Sequence, residues 1–207
     1  MDKFVITISR CCGAGGTTIG KRLAKDFGIS FYDKNLLKLA SEDSGISEAM
    51  FATADEKLKG SLLYKVSKKI YQGELIPPES DDFTTNQNLF NYQAKVLKEL
   101  AQKESYVVIG RCADFVLKDH PKLIRIFLYA DYEDCVEHEM AKHNISKKEA
   151  EKYVDKTDKF RSAYHKHYTG HDWMEMENYD ICINTSAMEY EQAVELVEFY
   201  VKSMISK

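Results

Sequence analysis

The sequence has no apolar run long enough to cross a bilayer. It runs at once into what reads as a strand, so neither a signal peptide nor a membrane anchor is expected. It carries no excess of positive charge. The formal net charge is -4, which argues against general nucleic-acid binding and leaves room only for a local cationic pocket. Cysteine is sparse and scattered, at Cys11, Cys12, Cys112, Cys135 and Cys182. No spacing among the five resembles a zinc site, and the odd number points to free thiols in a reducing compartment, the cytoplasm being the simplest. Proline is rare, and two of the three sit together as Pro77-Pro78. No repeat and no break in composition divides the 207 residues, so one domain with one sizeable core is expected.

What is present is concentrated near the start. Phe4 to Ile8 is apolar and β-branched and reads as a buried strand. Arg10-Cys11-Cys12-Gly13-Ala14-Gly15-Gly16-Thr17-Thr18 follows, and Ile19, Leu23 and Phe27 then fall on one face of a helix. Strand, glycine turn and helix make a phosphate-binding architecture: backbone N–H groups converge on an anion and the helix start adds partial positive charge. The pattern G-x-x-x-x-G-K-[ST] places its second glycine on Gly15 and its hydroxyl on Thr17, but its first glycine on Arg10 and its lysine on Gly16. The pattern G-x-G-x-x-G fits Gly13 and Gly15 and has Thr18 for its third glycine. A tight turn that binds nothing gives the same local sequence.

Further strands are expected at Ile29–Tyr32, Tyr106–Ile109, Leu123–Ala130 and Tyr179–Asn184. Helices are expected from Lys34, over Leu89–Gln102, Ala113–Leu117, Asp131 to about Lys142, from Ser146 past Arg161, and over Tyr190–Met204. Gly28 suits a C-cap, Asp131 an N-cap, and Ser146 with Glu149 a capping box. Ser41–Tyr71 reads as two helices broken near Ser44-Gly45 or Thr53-Asp55, and Gly73–Asn88 as a mobile surface loop. Alternating strands and helices predict an α/β fold with a parallel sheet between two helical layers. Ligands in such folds meet the carboxyl ends of the strands. Here those ends hold the glycine turn, Asp33, Gly110-Arg111, Ala130-Asp131 and Asn184-Thr185-Ser186.

Gly110-Arg111 offers a close turn and a forked phosphate donor, or a surface arginine paired with an acid. Lys152–Tyr168 is dense in cations and aromatics. It is either a lid carrying charge onto a polyphosphate or a solvated helix with internal ion pairs. His165, His167 and His171 lack the spacing of a metal set. Cys11-Cys12 reads as a reactive pair beside the anion site or as small residues packed in a turn.

Taken in order, Ile6–Arg10 with Gly13–Gly16, Tyr32-Asp33-Lys34, Phe90 with Gln93, Val108–Arg111, Asp158-Lys159 with Arg161 and Tyr164, Tyr168-Thr169-Gly170 and Asn184-Thr185-Ser186 resemble the cytidylate kinase-like family of P-loop nucleoside monophosphate kinases. The resemblance implies a P-loop NTPase-type three-layer fold with a five-stranded parallel sheet. It implies one domain, with a core of 1–40, 89–145 and 174–207, a helical monophosphate-binding insertion at 41–88 and a lid at 146–173. It further implies ATP at Gly13, Ala14, Gly15, Gly16, Thr17 and Thr18, and Mg2+ at Thr17 or Thr18. The acceptor would meet Asp33, Lys38, Gln93, Gly110 and Arg111. Catalytic charge would come from Arg10, Arg111, Lys156, Asp158 and Arg161, with Lys159 in reserve. Nucleotides are the expected partners, without nucleic acid or membrane, and the oligomeric state is left open.

The departures from the family pattern are specific. Gly16 stands for the loop lysine, Cys112 for the aspartate after Gly-Arg, and Ile109 for an acid at the strand end. The arginine expected after Asp33 is missing, with Lys38 and Leu39 in its region. Three readings follow: an ATP-dependent phosphotransferase acting on a nucleoside monophosphate or similar small acceptor, a nucleotide-binding protein with little or no turnover, or a dinucleotide oxidoreductase with Asp33 on a ribose.

Overall fold

The computed structural model describes residues 3–52, 73–75, 78, 80 and 85–205. Five strands, β1 (Val5–Arg10), β2 (Ser30–Tyr32), β3 (Tyr106–Ile109), β4 (Leu123–Tyr129) and β5 (Ile181–Asn184), form one sheet in the order β2-β3-β1-β4-β5. Every pairing is parallel. The helices are α1 (Gly16–Phe27), α2 (Leu36–Ser44), α3 (Asn86–Lys103), α4 (Ala113–Val116), α5 (Tyr132–His143), α6 (Lys147–Thr169) and α7 (Tyr190–Ile205). The chain therefore has the three-layer α/β fold with a five-stranded parallel sheet that the strand pattern predicts.

Strand side chains alternate between the two faces, and each face has its own core. Val5, Tyr106 and Val108 pack with α2, α3 and α4 on one side. Ile6, Ile8, Val107 and Ile109 pack with Ile19 and Leu23 of α1 and Val194 and Val197 of α7 on the other. Burying one such large apolar side chain contributes about 1.5–3 kcal/mol, so this two-sided packing holds β1 in the middle. Gly20 lets α1 lie close to the sheet, since a Cβ there would stand 2.8 Å from the Ile109 Cδ1.

Several boundaries differ from those read in the sequence. β1 continues two residues beyond Ile8, because Ser9 and Arg10 pair with Phe127 and Leu128 of β4. α1 begins at Gly16 rather than Ile19, and α3 begins at Asn86, where the Thr85 side chain accepts from the Asn88 N–H. Asp131 stands at the start of α5 but makes no side-chain cap bond. The Gly28 C-cap, with its N–H on the Ala24 and Lys25 carbonyls, and the reciprocal Ser146–Glu149 capping box are both present. α2 ends at Gly45 in the left-handed conformation, matching the first of the two expected breaks. The second, at Thr53-Asp55, lies outside the described residues.

Candidate active site

Most of the segment 146–173 is a single helix, α6. α6 has 23 residues, about 35 Å at 1.5 Å per residue. Its residues 158, 161, 165 and 168 recur at helical spacing, and each holds a different part of the core. The Asp158 carboxylate accepts from the Cys12 N–H at 2.8 Å. Arg161 donates to the Arg10 carbonyl at 3.1 Å and to Asp158 at 3.3 Å. His165 meets Asp114 at 2.8 Å, and the Tyr168 hydroxyl donates to the Asn86 carbonyl at 3.3 Å. Phe90 of α3 stacks on Tyr168 with ring centroids 3.9 Å apart. The charge pattern that also fits a solvated helix is, on this face, a set of contacts between α6 and the core.

Below α6 lies a cavity of about 390 Å³ at the carboxyl ends of β1 and β3. Cations line it: Arg10, Lys34, Arg111, Lys156 and Arg161. Asp33 is the acid among its lining residues, and Tyr153, Phe160, Tyr164 and Trp173 supply aromatic wall. Arg10, at an even position of β1, projects to the α1 face with Ile6 and Ile8 and then folds over the glycine turn. A Cβ at Gly16 would stand 2.7 Å from Arg10 Cγ, and one at Gly110 would stand 2.5 Å from Arg10 Nη1. The side chain is thus gripped between the two glycines. Burial lowers its pKa, Arg161 and Arg111 lower it further, and Asp33 opposes them; the result is about 9, still cationic at neutral pH. Like charges held this close make the pocket a place where an anion relieves repulsion.

The glycine turn is shaped by positive φ angles and close packing. Gly13 and Gly15 have φ of 85° and 74°. Gly15 stands at the start of α1 and gives it no side-chain cap, so the first-turn amides are not covered from there. A Cβ at Gly13 would fall 2.5 Å from the Cys135 carbonyl oxygen, and one at Gly15 would fall 2.5 Å from the Tyr190 ring. Ala14 is buried, and its carbonyl accepts from the Thr185 hydroxyl at 3.4 Å, which ties the β5 end to the turn. Thr17 and Thr18 are exposed in the first turn of α1. Among the described residues no group of three or more His, Cys, Asp or Glu could hold a metal ion.

The turn after β3 is equally unusual. Gly110, Arg111 and Cys112 all have positive φ, at 68°, 61° and 52°. For Arg111 and Cys112 this conformation costs about 1–2 kcal/mol each, and it carries Arg111 into the cavity. Gln93 is buried with its Oε1 3.5 Å from Arg111 Nη1.

The structure thus brings together Arg10, Asp33, Gly110, Arg111, Lys156 and Arg161 around one cavity, with Asp158 and Gln93 directly behind. Lys38 is not there. It is exposed on α2, its Nζ 3.9 Å from Glu42 one turn on. Lys159 is likewise exposed and outside the lining set. Lys34 and Tyr153 stand inside motifs quoted above without a site role of their own, and Asp114 stands in none. Lys34 follows Asp33 directly and Tyr153 precedes Lys156 by one turn, so both were within reach of the spacing argument. Asp114 was not, since nothing local links it to His165.

Cys11, Cys12 and Cys135 are buried beside the turn. Burial pushes their thiols up to about 12, 11 and 12 respectively, against the ordinary 9.0. This favours the packing reading of Cys11-Cys12 over a reactive pair.

A model of the cytidylate kinase-like family matches residues 5–187. The chain belongs to the cytidylate kinase-like family. Its similarity to individual proteins is lower. It is 25% identical over 199 residues to a cytidylate kinase of Pyrococcus horikoshii, covering 95% of this chain and 88% of that one. A crystal structure of an uncharacterized protein from Eubacterium ventriosum superposes with a TM-score of 0.72 at 26% identity, over 97% of this chain and 99% of the other. A shikimate kinase from Bacteroides thetaiotaomicron superposes with a TM-score of 0.53 at 13% identity, over 96% and 98%, and shares the fold. In this chain Gly16 stands where the phosphate-loop pattern has lysine, and the Arg10 side chain lies against it.

Proposed function

We propose that this member of the cytidylate kinase-like family is an ATP-dependent phosphotransferase acting on a nucleoside monophosphate or similar small acceptor. The observation that carries the reading is Arg10, whose stem fills the space a lysine at position 16 would use. Phosphoryl transfer needs positioning and charge neutralisation more than a covalent residue. In this reading the amides of Gly13 to Thr18 hold the donor phosphates and Arg10 follows charge onto the transferred group. A guanidinium can bind two phosphate oxygens at once. Arg111, in its strained turn, holds the acceptor's own phosphate. Lys156 and Arg161, on the lid helix, add charge from above, and α6 excludes water from the cavity. Asp33 orients the acceptor hydroxyl or phosphate beside Arg10. Thr17 or Thr18, exposed in the first turn of α1, would hold Mg2+, which would supply charge neutralisation for the donor phosphates.

The second reading is nucleotide binding with little turnover, and Gly16 in the lysine position favours it. One experiment separates the two. The protein is titrated with ATP, ADP and NAD, and nucleoside monophosphates are then screened for ADP release, with the parent and Arg10→Ala in parallel. The kinase reading expects ATP binding, ADP release with at least one monophosphate, and a loss of tenfold or more in turnover for Arg10→Ala. ATP binding without ADP release for any acceptor leaves the binding-protein reading. NAD binding in preference to ATP overturns both.

A further inference from the structure

The mechanism above leaves one buried ionic pair without a role. His165 and Asp114 have side chains only 5% and 4% exposed, and Nε2 and Oδ2 are 2.8 Å apart. The imidazole's second nitrogen, Nδ1, lies 3.2 Å from the His171 carbonyl. It is also 3.2 Å from the Thr169 hydroxyl, whose proton is taken up by the His165 carbonyl at 2.7 Å. Both ring nitrogens therefore face acceptors, an arrangement that suits the doubly protonated ring. On its cavity side His165 shares the lining with Arg10, Asp33, Lys34, Arg111, Lys156 and Arg161. Asp172 faces His165 from the segment after α6, and Arg125 of β4 and Tyr179 lie within electrostatic reach of Asp114.

The pair's place in the fold gives it a task. Asp114 lies in α4, three residues after Arg111 and directly behind the run of left-handed residues 110–112. His165 lies in α6, one turn after Arg161, and lines the cavity itself. Conformations as costly as those of Arg111 and Cys112 persist only where the surroundings over-determine them. On the sheet side the turn is pinned by the Gly110 N–H on the Ile8 carbonyl, at 3.0 Å. On the other side it is held by the Ala113 N–H on the Gly110 carbonyl at 3.1 Å and the Val116 N–H on the Cys112 carbonyl at 2.9 Å, in the same helix that carries Asp114.

We infer that His165 and Asp114 are positioning residues: their ion pair clamps the Arg111 turn to the lid helix, so that the acceptor-side cation and the lid cations keep one fixed geometry. The inference rests on the proposed reading of the cavity as an acceptor site, and it assigns the pair to acceptor recognition rather than to the donor loop. The glycine turn has supports of its own in Cys135, Tyr190 and Thr185, and α6 reaches it through Asp158, about two turns from His165, so donor affinity is expected to be insensitive to the pair.

The test uses His165→Gln and Asp114→Asn, which keep a hydrogen bond and remove a charge, with cytidine monophosphate and ATP as the two probes in calorimetry. The expected result is a loss of about tenfold in cytidine monophosphate affinity, with ATP affinity within twofold of the parent. In the Arg111→Ala background, His165→Gln is expected to add no further loss. Equal losses for both probes, or additive losses with Arg111→Ala, would overturn the inference. If the parent binds no nucleoside monophosphate, the acceptor reading fails on its own, and amide exchange then judges the clamp. Exchange at Arg111 and Cys112 is expected to be at least tenfold faster in His165→Gln, with Val107 and Val108 unchanged. Unaltered exchange at 111 and 112 would sink the clamp.

Discussion

Arg10 and Gly16 occupy one volume between them: the Arg10 Cγ stands 2.7 Å from where the first side-chain carbon at position 16 would be. An arginine at the strand end requires glycine there, and a lysine there would require the arginine to leave. Gly16→Ala is expected to cost about 1–3 kcal/mol as an overpacking change, and most of that cost is expected to vanish in the Arg10→Ala background. Thermal melts of the four proteins measure it. Equal costs in the two backgrounds would show that the contact carries no strain. The double variant Arg10→Gly with Gly16→Lys is expected to bind ATP more tightly than Arg10→Gly alone, because a cation is returned to the same space.

Gly13 and Gly28 allow conformation and contact to be separated. Both have positive φ, 85° and 65°, but a Cβ at Gly13 meets the Cys135 backbone while one at Gly28 meets nothing within 4 Å. Gly28→Ala is expected to cost about 1–2 kcal/mol, from backbone strain alone. Gly13→Ala is expected to cost more than that, since α5 must shift as well. Chemical denaturation of both variants checks the order, and a smaller effect at Gly13 would contradict the packing of α5 on the turn.

Much of this was legible in the sequence because it is local. Tyr106–Ile109 is four apolar residues bounded by polar and glycine residues, and its ends agree with the strand in the structure. The glycine turn, Gly110-Arg111 and the cation-rich helix were visible as motifs, and the sheet order brings them together. What escaped depends on partners far along the chain. Ser9 and Arg10 are strand residues only because Phe127 and Leu128 lie beside them. Lys38 fits an acceptor site by proximity to Asp33, yet the phase of α2 turns it toward Glu42. Asp114 gains its meaning from His165, 51 residues away, and no spacing rule reaches that far.

The His165–Asp114 pair is expected to make stability depend on pH. Burial lowers the His165 pKa, but the hydrogen bond and charge of Asp114 outweigh it, and the net shift is upward from 6.5. A raised histidine stabilises the fold fully below its unfolded value, and the contribution disappears as pH rises through the folded value. The parent is therefore expected to lose stability, relative to His165→Gln, on going upward from about pH 6.5. His165→Ala, which leaves Asp114 buried without a partner, is expected to cost about 3–5 kcal/mol near neutrality. Parallel slopes for parent and His165→Gln between pH 6 and 9 would contradict the charged pair.

The thiols are expected to divide into two groups. Cys182 is exposed, whereas Cys11, Cys12, Cys112 and Cys135 are buried. With maleimide at mild pH, mass spectrometry is expected to find Cys182 modified first, and the other four only after denaturation. Early labelling of Cys11 or Cys12 would show that the glycine turn opens far more readily than its packing implies.

The central position of β1 also bears on how the chain is made. This strand is synthesised before either of its two neighbours, β3 and β4, which begin at Tyr106 and Leu123. At a synthesis rate of roughly 5–20 residues per second, it waits several seconds or more for the segments that will flank it. During that interval a strand of Val5, Ile6 and Ile8, followed by two free thiols, has neither sheet nor lid to cover it. The arrangement that puts β1 in the middle of the finished sheet leaves an apolar segment of the nascent chain uncovered until both neighbours have been made.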